Sequence, residues 1–160
     1  MLFVQIAVWP KLSSLITLRQ IQTTASKCAE IPNPKKITSD MIGPPDPVSN
    51  LRKIIFKQPS NETQLEKQYR KLRSEIQNWN HDFWTQHNSR FFQEREEYLK
   101  RNLPEGKQNL TADEMSVFYK AFLDKNWTSH IAYNKEWYRK NFTLLLLSLQ
   151  IKLRKLLRIK

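Results

Sequence analysis

The chain has 160 residues, of which 39% are hydrophobic, and its 27 basic and 15 acidic side chains leave a formal net charge of +12. That length holds one modest domain with appendages, and two glycines, Gly43 and Gly106, are too few for a sheet built on tight turns. A lone cysteine, Cys28, excludes an internal disulfide framework, a CxxC redox pair and a thiolate zinc site within the chain.

Residues 1–30 read as a mitochondrial transit peptide. The segment has no acid before Glu30, is rich in Ser and Thr, and carries Lys11, Arg19 and Lys27 at intervals. A secretory signal would place its charge before the apolar run, whereas here Leu2–Trp9 come first. Residues 31–59 hold six of the eight prolines and cannot form a long helix, because each proline removes a backbone donor and biases its predecessor to extended geometry. They read as an extended proline-rich arm whose "IIF" (Ile54–Phe56) is a candidate to dock on the helical body.

Residues 60–160 read as an all-α domain, a small bundle of about four helices ending in a long C-terminal one. The first helix is expected over about Glu62–His87, capped by Ser60 or Asn61. Its seam is Leu65, Tyr69, Leu72, Ile76, Trp79 and Phe83, at spacings of 4, 3, 4, 3 and 4. These fall within about 40° of one line on a helical wheel. Asn88-Ser89 is expected to break the run and cap a second helix over Arg90–Asn102, stopped by "LPEG". Thr111-x-x-Glu114 is a capping box opening a third helix, Ala112–Asp124, with Met115, Phe118, Tyr119 and Phe122 as its core face. The fourth runs from Thr128 to the end, with Trp127, Ile131, Tyr138, Phe142, Leu145, Leu149 and Leu156 as its seam.

Along that helix "FTLLLLSLQI" is apolar on nearly every side, and Leu144 and Leu147 point away from the seam. Ten residues reach about 15 Å, half of a bilayer core of about 30 Å, so this is not a span. The basic tail beyond it adds Lys152, Arg154, Lys155 and Arg158. An apolar surface beside basic residues suits an anionic membrane surface, and Leu144, Leu147 and these four bases are the membrane-contact candidates. Four N-x-T triplets begin at Asn61, Asn109, Asn126 and Asn141. The first three lie at expected helix starts, where capping accounts for them without a secretory route.

Signs of catalysis are thin. There is no Gly-rich phosphate loop, nucleophile elbow or HExxH. The stretch "WNHDFWTQHNSRFF" (79–92) gathers two histidines and five aromatics. His81 and His87, six apart, stand about 120° apart on one helix and cannot share a metal. His81 faces away from the seam, towards solvent, and His87 lies at the seam's edge. A haem clamp made by His87 and His130 across two helices is the alternative that the residues leave open. Nucleic-acid binding would need exposed aromatics interleaved with bases, whereas here the aromatics follow the seams.

Several blocks, in order, resemble a known family: "PPDPVSNLR" (Pro44–Arg52), "WNHDFW" (Trp79–Trp84), "EMSVFYKAFLDKN" (Glu114–Asn126) and "HIAYNKEWYRKNF" (His130–Phe142). They are similar to the mitochondrial cytochrome c oxidase assembly factor 8 family, also called apoptogenic protein 1. The resemblance covers about residues 43–142. It implies a non-enzymatic protein without a cofactor, peripheral on the matrix side of the inner membrane, whose partner is an oxidase subunit or assembly intermediate. The older name implies a link to apoptosis, for which these residues supply no independent argument. The matching blocks nominate Pro44, Pro45, Asp46, Pro47, Asn50 and Arg52 in the arm, and Trp84, Tyr133 and Asn134 in the helices, as partner-binding residues. Trp79, Asn80, Trp137 and Tyr138 lie in the same blocks.

Overall fold

The computed structural model describes residues 33–107 and 109–157; the expected transit peptide and Arg158 lie outside them. Two strands, β1 (Met41–Pro45) and β2 (Arg52–Ile55), are followed by two helices, α1 (Gln64–Asn102) and α2 (Ala112–Leu156). The expectation of an all-helical body is met in the main, but four helices become two.

Thr63 caps α1 and Thr111 caps α2, each in a capping box with the glutamate three residues on, Glu66 and Glu114. Both threonines close an N-x-T triplet, so in these two triplets the threonine rather than the asparagine is the cap. The expected breaks do not occur. Asn88 donates its side-chain amide to the carbonyl of Val48 at 2.8 Å, and Asn126, buried within α2, donates to the carbonyl of Phe122 at 2.8 Å. A capping asparagine offers its Oδ1 to the backbone N–H groups two or three residues on; a side chain held through its Nδ2 on a carbonyl elsewhere is directed away from them. With no proline inside either element, the helices run on for 39 and 45 residues, about 58 and 68 Å at 1.5 Å per residue.

The helices form an antiparallel hairpin. Tyr98 donates its hydroxyl to the carbonyl of Glu114 near the connection, Lys125 pairs with Glu94 further along, and Lys155 meets Glu66 at the far end. Phe91, Met115, Phe118 and Phe122 form a buried cluster, with Tyr98, Leu99 and Leu110 against it. This was the face expected for residues 112–124, apart from Tyr119, which stays exposed. No described side chain is fully enclosed, in keeping with two helices that share one seam.

The arm is a two-stranded antiparallel sheet rather than a plain extended segment. Met41 pairs with Ile55 and Ile42 with Ile54, and the register slips before Pro45 meets Arg52. The slip falls at Gly43-Pro44-Pro45, where the prolines have no N–H to donate to the ladder. The sheet rests on α1. Phe56 is buried and the Arg73 guanidinium lies 3.9 Å above its ring, while Gln77 bonds both backbone groups of Ile54.

The C-terminal half of α2 turns the opposite way from the expected packing. Trp127, Ile131, Tyr138, Phe142, Leu145, Leu149 and Leu156, read as a buried seam, are all exposed. The face towards α1 carries Tyr133, Trp137, Lys140, Leu144 and Leu147, all partly buried. Periodicity locates a line on a helix but does not say which side turns inward; here the aromatic contacts of Tyr133 with α1 decide it.

Candidate functional site

The six residues between the strands, Asp46–Leu51, are set by one carboxylate. Asp46 Oδ1 accepts the N–H of Val48 at 3.0 Å, the N–H of Ser49 at 2.8 Å and the Ser49 hydroxyl at 3.1 Å. The backbone closes the turn, with Asp46 N–H on the Leu51 carbonyl at 2.8 Å and Asn50 N–H on the Asp46 carbonyl at 2.9 Å. Asn50 sits at φ 58°, the left-handed region that asparagine tolerates better than most residues. The two backbone N–H groups, Ser49 first, hold the Asp46 carboxyl below its ordinary value.

This turn is fastened to α1 at two points. Ser49 Oγ lies 2.9 Å from His81 Nδ1, and Asn88 holds the Val48 carbonyl. Donor counting gives one consistent chain, in which His81 Nδ1–H donates to Ser49 Oγ and Ser49 Oγ–H donates to Asp46. An activated serine needs the imidazole between the acid and the hydroxyl. Here the serine is in the middle, its proton is committed to the carboxylate and it is 4% exposed, so the trio is a fastening. His81, expected in solvent, is therefore the seat of the turn. The face of α1 opposite its seam is covered by the sheet through Arg73, Gln77 and His81.

The fastening leaves Pro44, Pro45, Pro47, Asn50 and Arg52 exposed around the tip, with Asp46 turned inward. Arg52 also donates to the Gly43 carbonyl at 3.2 Å. The other partner-binding candidates lie elsewhere. Trp84 and Tyr133 meet between the helices, where Trp84 Nε1–H donates to the Tyr133 hydroxyl at 2.9 Å and that hydroxyl donates to Asn80. The Tyr133 ring stacks on Phe83, centroids 4.1 Å apart, and on Trp79 at 5.1 Å. Only Asn134, the next residue, is exposed. Of the membrane-contact candidates, Leu144 and Leu147 are half-buried towards α1, while Lys152, Arg154 and Lys155 are exposed. Lys155 bonds Glu66 at 2.6 Å and, together with the Thr63 cap, holds the Glu66 carboxyl down to about 2.

His87 and His130 do come together, with ring centroids 4.7 Å apart and planes at 60°. His87 also lies against Phe83, Trp84 and Phe122. Burial, His130 and Arg90 push its imidazole down to about 4, and burial lowers His130 as well, so both rings are neutral near pH 7. His87 Nδ1 and His130 Nε2 have no hydrogen-bond partner among the described residues. Rings in contact leave no slot for a porphyrin plane, so haem ligation by this pair would require α1 and α2 to part. Among the described residues no three His, Cys, Asp or Glu side chains converge on a metal position, and no helix is long and apolar enough to cross a membrane.

Three positions that fasten the turn and the sheet to α1 were not apparent from the sequence. Ser49, Gln77 and the inward-facing His81 carry no local signal, because each acts on a residue more than twenty positions away.

The profile of the family described as cytochrome c oxidase assembly factor 8 matches residues 39–157, from the foot of β1 to the end of α2. A Drosophila melanogaster protein described as a mitochondrial member of that family is 48% identical over 126 residues, 79% of this chain and 72% of the relative. The Bos taurus and Homo sapiens cytochrome c oxidase assembly factor 8 proteins are each 44% identical over 121 residues, 69% of this chain. The chain spans 63% and 59% of the length of those two. No solved structure matches the chain. A family match over every described element, and a relative at 48% identity, establish that the chain belongs to the cytochrome c oxidase assembly factor 8 family.

Proposed function

We propose that this chain is a non-catalytic, chaperone-like mitochondrial factor serving the assembly of cytochrome c oxidase. It acts by protein contact at the matrix face of the inner membrane, with an oxidase subunit or an assembly intermediate as partner. Family membership supports the pathway. The observation that carries the contact surface is the tip: a turn preset by Asp46 and fastened to α1 presents Pro44, Pro45, Pro47, Asn50 and Arg52 to solvent. A loop already held in one shape loses little conformational entropy on binding. The basic end of α2, with Lys152, Arg154 and Lys155 exposed and no acid after Glu136, suits anionic headgroups at about 1 kcal/mol per base.

A photo-crosslinking amino acid at Pro47, irradiated in intact mitochondria, is expected to capture an oxidase subunit or an oxidase-specific assembly protein. A matched probe at exposed Gln93 is expected to give none of these products. Identical products from both positions would refute the tip as the contact. Carbonate should release the chain from mitochondrial membranes; retention in the pellet would refute peripheral attachment.

A second reading, haem handling through His87 and His130, draws support from their adjacency and their two unpartnered nitrogens. Under it, haemin added to the purified chain gives a Soret shift that the double alanine substitution abolishes.

A further inference from the structure

The largest unexplained feature is the outer face of α2. Large apolar residues from Leu123 to Leu153 are 48–65% exposed there, and no described residue covers them. Leu123, Trp127, Ile131, Tyr138, Phe142, Leu145, Leu149 and Leu153 fall within an arc of about 120° at 100° per residue, so they form one stripe, with Leu146 at its border. A monomeric protein rarely leaves so long an apolar strip in water.

The order of residues in this stripe says what covers it. Apart from Phe142, whose counterpart four residues to the other side is Asn134, it is symmetric about Tyr138. Ile131 and Leu145 lie seven residues to either side, Trp127 and Leu149 eleven, Leu123 and Leu153 fifteen. A second copy of α2 laid antiparallel, with the two-fold axis at Tyr138, places the members of each pair opposite one another. Charge follows the same symmetry. Asp124 and Lys152 lie fourteen residues to either side, so each lysine faces the other copy's aspartate, which is bridged to Lys120 within its own chain at 2.5 Å. A parallel pairing would instead set the basic ends of the two copies side by side. A bilayer reads no such order, and an anionic one gains nothing from Asp124 within the stripe.

The area is sufficient. Eight side chains of this size, each about half exposed, offer on the order of 800 Å² per copy, the share of one partner in a standard stable interface. The pairing also supplies what the helical hairpin lacks. No described side chain is fully enclosed, whereas in the pair each α2 is packed on two sides, as in a four-helix arrangement. We infer that two copies of this chain associate antiparallel through the outer face of α2, with Tyr138 at the two-fold axis. An isologous contact of this kind closes on itself and stops at two.

The test begins with the mass of the full-length chain in solution by light scattering, at tens of micromolar. The expected value is twice the 19.2 kDa of one chain. Ile131→Glu with Leu145→Glu should return it to one chain with unchanged helical circular dichroism. Should that variant lose helix, geometry decides by a short bismaleimide in a Cys28→Ser background. Tyr138→Cys should crosslink to itself and Leu153→Cys should not, while a mixture of Leu123→Cys and Leu153→Cys chains should crosslink to each other. Asp124→Lys should weaken the pair at least tenfold, and adding Lys152→Asp should restore it. A single-chain mass overturns the proposal. So does self-crosslinking at Leu153, which marks a parallel pair, or a stripe variant that changes flotation with cardiolipin vesicles but not mass.

Discussion

Gln77 closes the free edge of β2: its side-chain oxygen accepts the N–H of Ile54 at 2.7 Å and its amide donates to the Ile54 carbonyl at 3.0 Å. The side chain stands where the next strand of a larger sheet would be, so an edge that would otherwise invite pairing is occupied. The two-stranded sheet, marginal by itself, gains its third neighbour from a helix.

Replacing Gln77 by Ala should therefore cost about 2 kcal/mol, two modest hydrogen bonds with their partly buried backbone groups left unpaired. Hydrogen exchange at the Ile54 amide should accelerate by more than tenfold while amides around Phe91 keep their protection. Uniform acceleration across both would mean that the sheet and helices unfold as one unit rather than through this contact.

Ser49→Ala removes the middle of the His81–Ser49–Asp46 chain and leaves a part-buried imidazole N–H without its acceptor. A loss of about 1–2 kcal/mol is expected, on the order of one unsatisfied donor. Asp46→Asn should cost a similar amount, because the amide accepts the Val48 and Ser49 N–H groups less strongly than the carboxylate does. Urea midpoints of the single and double variants provide the check, and the two losses should fall short of additive.

Stability should depend on pH through His87. Its folded value of about 4 lies below the ordinary 6.5, so between those values the unfolded chain binds the proton more readily. The contribution is complete above pH 6.5 and is lost as pH falls towards 4, a change on the order of 3 kcal/mol. The depressed carboxylates of Glu66 and Glu136, held at about 2, act in a lower window, below the ordinary value of 4.5. Urea unfolding between pH 7 and 5 should show the slope, and His87→Leu should reduce it to what His130 contributes. An unchanged slope in His87→Leu would remove this ring as the source.

Tyr133→Phe keeps the ring on Phe83 and Trp79 but strips the Trp84 indole N–H and Asn80 of their common partner. The expected cost is about 1–3 kcal/mol with a shift in tryptophan emission. Tyr133→Ala should cost about 3–5 kcal/mol, since it also opens a cavity between the helices.

What the sequence discloses depends on how far apart the interacting residues lie. Thr111-x-x-Glu114 announces a helix start because the whole device fits within four residues. The seam from Leu65 to Phe83 and the core face of Met115, Phe118 and Phe122 are equally legible, since one period repeats over several turns. Asn88-Ser89 and Asn126-Trp127-Thr128 mislead for the same reason that they attract notice. Their local chemistry is that of a cap, and only a carbonyl supplied by Val48 or Phe122 removes their competition with the helix. The prolines from Pro34 to Pro59 correctly exclude helix, but a turn fastened by His81, thirty-two residues from Ser49, has no local signature. On α2 the line from Trp127 to Leu156 is real and its direction is not deducible. Both faces are rich in large side chains, and the inward one is chosen by contacts with Asn80, Phe83 and Trp84.

Asn80 and His81 are consecutive, yet one holds Tyr133 of α2 and the other holds Ser49 of the tip. The segment of α1 around them is therefore read from two sides at once, by the sheet at Arg73, Gln77, His81 and Asn88, and by α2 at Trp79, Asn80, Phe83, Trp84 and His87. Removing or adding one residue within it would turn everything downstream by about 100°. No such rotation could suit both sides. This stretch thus has no spare length: substitutions can be absorbed here, but a single insertion or deletion cannot.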